Sequence, residues 1–347
     1  MSDVPAAARR TVGRAGFRAL LGAAAGLTVA ALAIGYLGIS RLGFFGELRN
    51  AHPWPLLFAA VGGFVLLGFQ SLRWWMVMRP VLPGLGYTNA YRAMLVGFFF
   101  NTLIPLRGGD LLRVQYLGRR TGVSRAKLLG TEVVDFFSDK WGWVSAFAIV
   151  CGVSLLLPPH RGPPAWLLNA LAGFAALIAG VGLLLMAMGS KRWRHDAQGR
   201  PIGPVWLTNL RDGFAASRWR RLLVVETVLA PLPWLCETVM ITVSSGALDL
   251  HLSPMQAFAA LTAWNMGTAI PSPGNAGTFE ATGTIALGAS GVAPDKALAF
   301  VFLYHLAQVL PGMMAAAGLL VAEGETLFGR RNVFKGLAEP SRTSLSS

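Results

Sequence analysis

Six separate runs of apolar side chains, each long enough to cross a bilayer, constrain this chain more than any other feature. They lie at about Ala19 to Ile39, Trp54 to Leu72, Leu128 to Leu157, Ala165 to Met188, Leu222 to Leu248 and Ala297 to Val321; a spanning helix needs about 20 residues. Hydrocarbon offers backbone amides no water to bond, so runs of this kind must be helical. Only 13% of the 347 residues are charged, against roughly one quarter in soluble domains, and the mean hydropathy is +0.53. These observations give an all-α polytopic membrane protein.

Two further apolar segments, about Tyr91 to Pro105 and Met255 to Ile270, are too short to cross, and each ends in a cluster of Pro and Gly. Loop charge places them. Arg73, Arg79 and Arg92 precede the first, and Arg107, Arg113, Arg119, Arg120, Arg125 and Lys127 follow it. Positive charge stays on the cytoplasmic side, so this segment enters and leaves on that face. The stretch Lys191 to Arg221 carries eight Lys or Arg and is also expected inside, which makes the second short segment dip in from the opposite face. The expected architecture is about six transmembrane helices plus two opposed re-entrant hairpins meeting around a polar pocket, as inverted repeats produce. Residues 1–18 form a basic cytoplasmic N-terminus, 19–322 the membrane domain and 323–347 a cytoplasmic tail. Arg9, Arg10, Arg14 and Arg18 precede the first run, which has no clear small-residue cleavage site, so it is read as an uncleaved helix.

The two short segments echo each other. Asn101, Pro105, Gly108, Gly109 and Asp110 in the first match Asn265, Pro271, Gly274, Gly277 and Glu280 in the second, in the same order with unequal spacing. Proline removes a donor and ends a helix, while glycine lets the chain turn and a ligand approach the backbone. Freed amides beside Arg107 and Arg113 would form an anion-binding concavity suited to phosphate; an ordinary cytoplasmic turn with snorkelling arginines is the alternative.

Charge within the spans adds candidates. Glu132, Asp135 and Asp139 share one helical stripe, with Lys140 beside them. Their partners would be arginines of the first hairpin, a cationic headgroup or protons, unless this first turn or two lies outside the hydrocarbon. Glu237 lies deep in the run interrupted by Pro231 and Pro233, and His305 and Gln308 occupy the last span; a polar lining and simple packing are both open for His305. Cys151 and Cys236 sit in apolar runs, the five histidines show no metal spacing, and no GxxxxGK[ST] occurs. No metal, cofactor or nucleotide site is expected, nor a catalytic nucleophile. The +14 net charge, gathered in connecting segments, fits an anionic leaflet, with no nucleic-acid partner expected.

The string Asn101, Pro105, Gly108, Gly109, Asp110, Arg113, the basic stretch ending near Val123, PSPGNAGTFE (Pro271 to Glu280) and LYHLAQVLPG (Leu303 to Gly312) resemble the flippase-like integral membrane family. That group includes the membrane domain of the lysylphosphatidylglycerol synthetase/flippase. The resemblance implies translocation of a phospholipid or polyprenyl-phosphate-linked lipid between leaflets, with a phosphate-bearing headgroup in a polar cavity. On this reading Arg107 and Arg113 would hold phosphate. Asn101, Asp110, Asp135, Asp139, Glu237 and Glu280 would orient the headgroup or couple to protons. The chain is expected to be a non-enzyme, because it ends at Ser347 without a soluble transferase domain. TEVVDFFSDKW (Thr131 to Trp141) also lacks an expected Arg, for which Lys140 would stand in without a bidentate fork. Two other classes stay open: a membrane enzyme acting on a lipid-linked phosphate, and a non-catalytic partner of a lipid-synthesis enzyme. The expected location is the inner membrane with both termini cytoplasmic.

Overall fold

A computed structural model describes residues 38–104, 108–156, 162–189, 224–268, 270 and 272–328, with a few isolated positions besides (28, 31, 35, 204–206, 208, 209 and 212). Among the described residues every regular element is a helix. The main ones are α1 (Arg41–Asn50), α2 (Pro53–Met78), α3 (Tyr87–Leu103), α4 (Gly108–Thr121), α5 (Arg125–Leu156), α6 (Ala165–Gly189), α7 (Pro231–Ser244), α8 (Pro254–Gly267), α9 (Thr278–Ala289) and α10 (Pro294–Phe328). The protein is therefore all-α.

Four stretches are long and apolar enough to cross a membrane: Pro53–Met78, Arg125–Leu156, Thr227–Leu248 and Pro294–Glu323. They coincide with four of the six expected spans. Helix α6 has 25 residues, of which Ala165–Ala176 is a shorter apolar stretch. Most of the first expected span, about Ala19 to Ile39, lies outside the described residues, as does most of Val205 to Leu222, a segment whose pattern reads as an amphipathic surface helix. Pro105, Arg107 and Pro271 also fall outside them.

The chain divides into two compact units. One takes Met1–Gly62, Phe99–Gly109 and Thr238–Pro311; the other takes Gly63–Phe98, Asp110–Glu237 and Gly312–Ser347.

Within the first unit, α8 and α9 pack against each other as a helical hairpin. Pro254 opens α8 behind a reciprocal cap: the Ser253 hydroxyl accepts from the Gln256 N–H at 3.3 Å, and the Gln256 carbonyl oxygen accepts from the Ser253 N–H at 3.0 Å. Small residues set the spacing. A Cβ on Gly267 would stand 2.9 Å from the Thr278 carbonyl, and one on Gly283 would stand 3.0 Å from Val301 and 3.3 Å from Trp264. At 14 and 12 residues, neither arm reaches the length of a crossing.

In the second unit the long helix α5 packs on α6 and on a wide π-turn at Val225–Leu229 just ahead of Pro231. A Cβ on Gly142 would collide with the carbonyl of Ala230, so only glycine allows this approach. Trp234 ties the same contact down by donating to the Asp139 carbonyl at 3.0 Å.

Candidate functional site

In the second unit, α2, α4 and α5 bring together a chain of opposite charges. Arg73 on α2 is buried and donates to Asp135 through Nε at 2.8 Å and to Asp139 through Nη1 at 2.9 Å. Lys140 closes the outer end, 2.9 Å from Asp139, and its ammonium lies over the rings of Phe136 and Trp234. At the inner end Arg113 pairs with Glu132 and stands 3.7 Å from Asp135 and 3.8 Å from Asp110. The order Lys140, Asp139, Arg73, Asp135, Arg113, Glu132 alternates in sign at every step. An isolated charge in an apolar interior costs several kcal/mol, and an alternating chain is how such groups become affordable.

This geometry answers two points raised by the sequence. An arginine that follows the first short segment does reach the acidic stripe, since Arg113 meets Glu132. The arginine missing from Thr131 to Trp141 is supplied by Arg73, which the charge pattern places on a cytoplasmic flank. Helix α2 runs on to Met78, and Arg73 is buried within the protein.

Arg113 is only 6% exposed, and three features hold it. Its guanidinium lies 4.6 Å from the centre of the Trp74 ring, its Nη1 rests against the Met94 sulfur at 2.7 Å, and a Cβ on Gly97 would stand 3.0 Å from its Cδ. Gly97 is thus the slot through which the arginine stem passes. Gly108 and Gly109, expected to form a turn, are instead the first residues of α4, neither with positive φ. Their place in the first helical turn, where amides have no intrahelical acceptor, keeps these N–H groups suited to an anion.

A second cluster in this unit surrounds Glu323 on α10, which accepts from Arg92 at 3.1 Å, from Arg120 at 2.5 Å and from the Tyr116 hydroxyl at 2.5 Å. Burial and the hydrogen bond to Glu323 push the Tyr116 phenol up to about 12.

In the first unit the tip of the α8–α9 hairpin is a one-turn 3-10 segment, Pro273–Asn275, in which Gly274 and Asn275 have φ of 62° and 55°. Gly277 follows with φ of 85°, so the echo motif puts glycine at two left-handed positions where it is strongly favoured. A Cβ on Gly274 would be 3.6 Å from both the Thr102 methyl and the Thr102 carbonyl oxygen. The tip therefore rests on the end of α3, one residue from Asn101, and the two Pro- and Gly-rich motifs touch.

Behind the tip, Glu280 uses both oxygens. Oε2 accepts from the Gly277 N–H at 2.7 Å and caps α9, while Oε1 stands 2.6 Å from His305 Nδ1. The imidazole stacks on Phe279 at 4.1 Å, Phe279 on Trp264 at 4.6 Å, and Trp264 on Tyr304 at 5.4 Å. Asn265 donates to the Leu261 carbonyl of its own helix at 2.9 Å. Glu237 is half-buried on α7. Among the described residues no three His, Cys, Asp or Glu side chains come together as a metal set.

A helical chain with four stretches long and apolar enough to cross a bilayer is a polytopic membrane protein. It belongs to the lysylphosphatidylglycerol synthase TM region family, whose model matches residues 23–316. It is also similar to a UPF0104 membrane protein of Methanothermobacter thermautotrophicus, 30% identical over 143 residues; the match covers 40% of this chain and 39% of that protein.

Proposed function

We propose that this chain carries a phosphate-bearing lipid between leaflets, a phospholipid or a polyprenyl-phosphate-linked lipid, holding its headgroup at a charged intramembrane site. The observation that supports this reading most is the buried alternating chain that runs through Arg73 and Arg113. Ionisable side chains inside membrane helices are expensive and mark substrate or ion paths far more often than packing. Arg113 would hold the phosphate, and Asp135 and Asp139 would keep the arginines aligned. The contact between Thr102 and Gly274 supports two re-entrant hairpins, because non-helical backbone at membrane depth survives only where protein or water satisfies it. Glu280 and His305 would then fix the second tip. On the positive-inside pattern the termini are cytoplasmic and the membrane is the inner one; a lipid-synthesis enzyme would be the natural partner on that face.

The experiment is leaflet exchange of labelled lipids in liposomes carrying the purified chain. Exchange above that of empty vesicles, lost in Arg113→Ala and in Arg113→Lys while the fold is retained, is the expected result. Exchange equal to that of empty vesicles for every lipid class overturns the proposal, and covalently altered lipid would make the chain an enzyme.

A further inference from the structure

The Glu280–His305 pair differs in kind from the chain of charges in the other unit. There the cations are Arg73, Arg113 and Lys140, and a guanidinium keeps its charge in proteins. Here the cation is an imidazole 2.6 Å from Glu280 Oε1, charged only while it holds a second proton. Both side chains are largely enclosed, at 12% and 13% exposure. Among the described residues of this unit no other charge stands by to replace it. Helix α8 and residues 99–103 hold no ionisable group, and Glu280 is the single charged residue of α9. On α10, Tyr304 turns its ring to Trp264. Lys296 and Asp295 precede His305 by nine and ten residues, roughly 14 to 15 Å along the helix, and Asp295 accepts from the Ser40 N–H at 2.8 Å.

The pair therefore has two charge states. With both ring nitrogens protonated, imidazolium and carboxylate cancel. When the Nε2 proton leaves for bulk water, the Nδ1 N–H still donates to Oε1, but the pair is left with one negative charge. Helix α10 is long and apolar enough to cross a bilayer, and an uncompensated charge among apolar helices costs several kcal/mol unless water reaches it. The same carboxylate caps α9, accepting from the Gly277 N–H at 2.7 Å, three residues beyond Gly274 at the tip. A shift of Glu280 towards water withdraws that cap, so the charge of the pair and the closure of the tip are linked through one side chain.

We infer that Glu280 and His305 together form a proton-binding site, and that the bound proton holds the PSPGNAGTFE tip closed on Thr102. The sequence leaves His305 open between a polar lining and packing; this geometry gives it a ligand, the proton, and a mechanical output, the cap of α9. The inference depends on α10 lying in the membrane, not on which lipid moves or on whether any does.

The test is hydrogen exchange at the amides of residues 277–282 in the detergent-solubilised full chain, followed by mass spectrometry with the intrinsic pH dependence of exchange divided out. In wild type, protection should fall about tenfold from about pH 5 to about pH 8, the interval in which histidine changes charge; about tenfold is the factor that one hydrogen bond to a charged group supplies. Glu280→Gln and His305→Gln should each hold the change within about twofold, and His52→Gln, at an exposed histidine, should keep the full fall. If the glutamine variants do not fold, His305→Arg takes their place: it is a cation at every pH, can stack on Phe279, and should keep the acid-side protection throughout. A fall under about twofold in wild type, or a fall that survives in His305→Gln or His305→Arg, overturns the inference. The expected fall without leaflet exchange in liposomes supports the proton site and counts against translocation alone.

Discussion

Gly274 stands against Thr102, close enough that a Cβ would be 3.6 Å from the threonine carbonyl, and its φ of 62° lies in the left-handed region. A β-carbon there costs roughly 1–2 kcal/mol from backbone conformation, while its 3.6 Å approach to α3 is ordinary contact. Gly274→Ala should lower the thermal midpoint in detergent and raise protease sensitivity at the tip. Gly46→Ala, where a Cβ meets nothing within 4 Å, should change neither.

Arg73 neutralises two carboxylates that are otherwise buried together. Arg73→Ala should destabilise by about 3–5 kcal/mol, the cost of leaving a buried charge uncompensated. Arg73→Met combined with Asp135→Asn should recover part of the loss. Denaturation midpoints of the wild type and the two variants measure this, and equal destabilisation by single and double replacement would contradict the pairing.

Gly97 is the passage for the Arg113 stem. Gly97→Val should overpack by about 1–3 kcal/mol and push the guanidinium off Trp74, visible as altered indole fluorescence and, if the proposed function holds, as slower lipid exchange.

Glu280 and His305 form one unit, since the carboxylate caps α9 and grips the imidazole at once. A double-mutant cycle of Glu280→Gln and His305→Ala should show a coupling of about 0.5–3 kcal/mol. Additive losses would mean that the two side chains act separately.

Tyr116 titrates above its ordinary value of 10, near 12. A phenol whose folded value is raised contributes stability that is complete below the unfolded value and is lost as pH rises through the folded one. Stability of the wild type should therefore fall between pH 10 and 12 more steeply than that of Tyr116→Phe, followed by thermal midpoints across that range.

Helix class, the length of the apolar runs and the hairpin at PSPGNAGTFE were legible because each depends on local composition: hydropathy over a window, or glycine and proline at fixed offsets. The acidic stripe was legible too, because Glu132, Asp135 and Asp139 repeat at the helical period. Arg73 was not. Its partners lie 62 and 66 residues away, and an arginine near the end of an apolar run looks the same in sequence whether it snorkels or turns inward. The signal that could have found it is charge arithmetic, because three acids on one face of a spanning helix need more cations than Arg113 and Lys140 supply. Glu280 was singled out as a site carboxylate, and the structure places its oxygens on the Gly277 amide and on His305. Gly108 and Gly109 read as a turn, whereas they open α4, because glycine permits either conformation and the sequence carries no φ.

The π-turn at Val225–Leu229 inserts an extra residue into the winding, and each residue advances a helix by roughly 100°. Any wheel drawn straight through from Glu226 to Glu237 therefore misassigns every later compass direction. Removing a single residue there would restore regular winding and shift the register at which Ala230 meets Gly142, so this short irregularity acts as the phase adjuster for the segment that reaches Pro231.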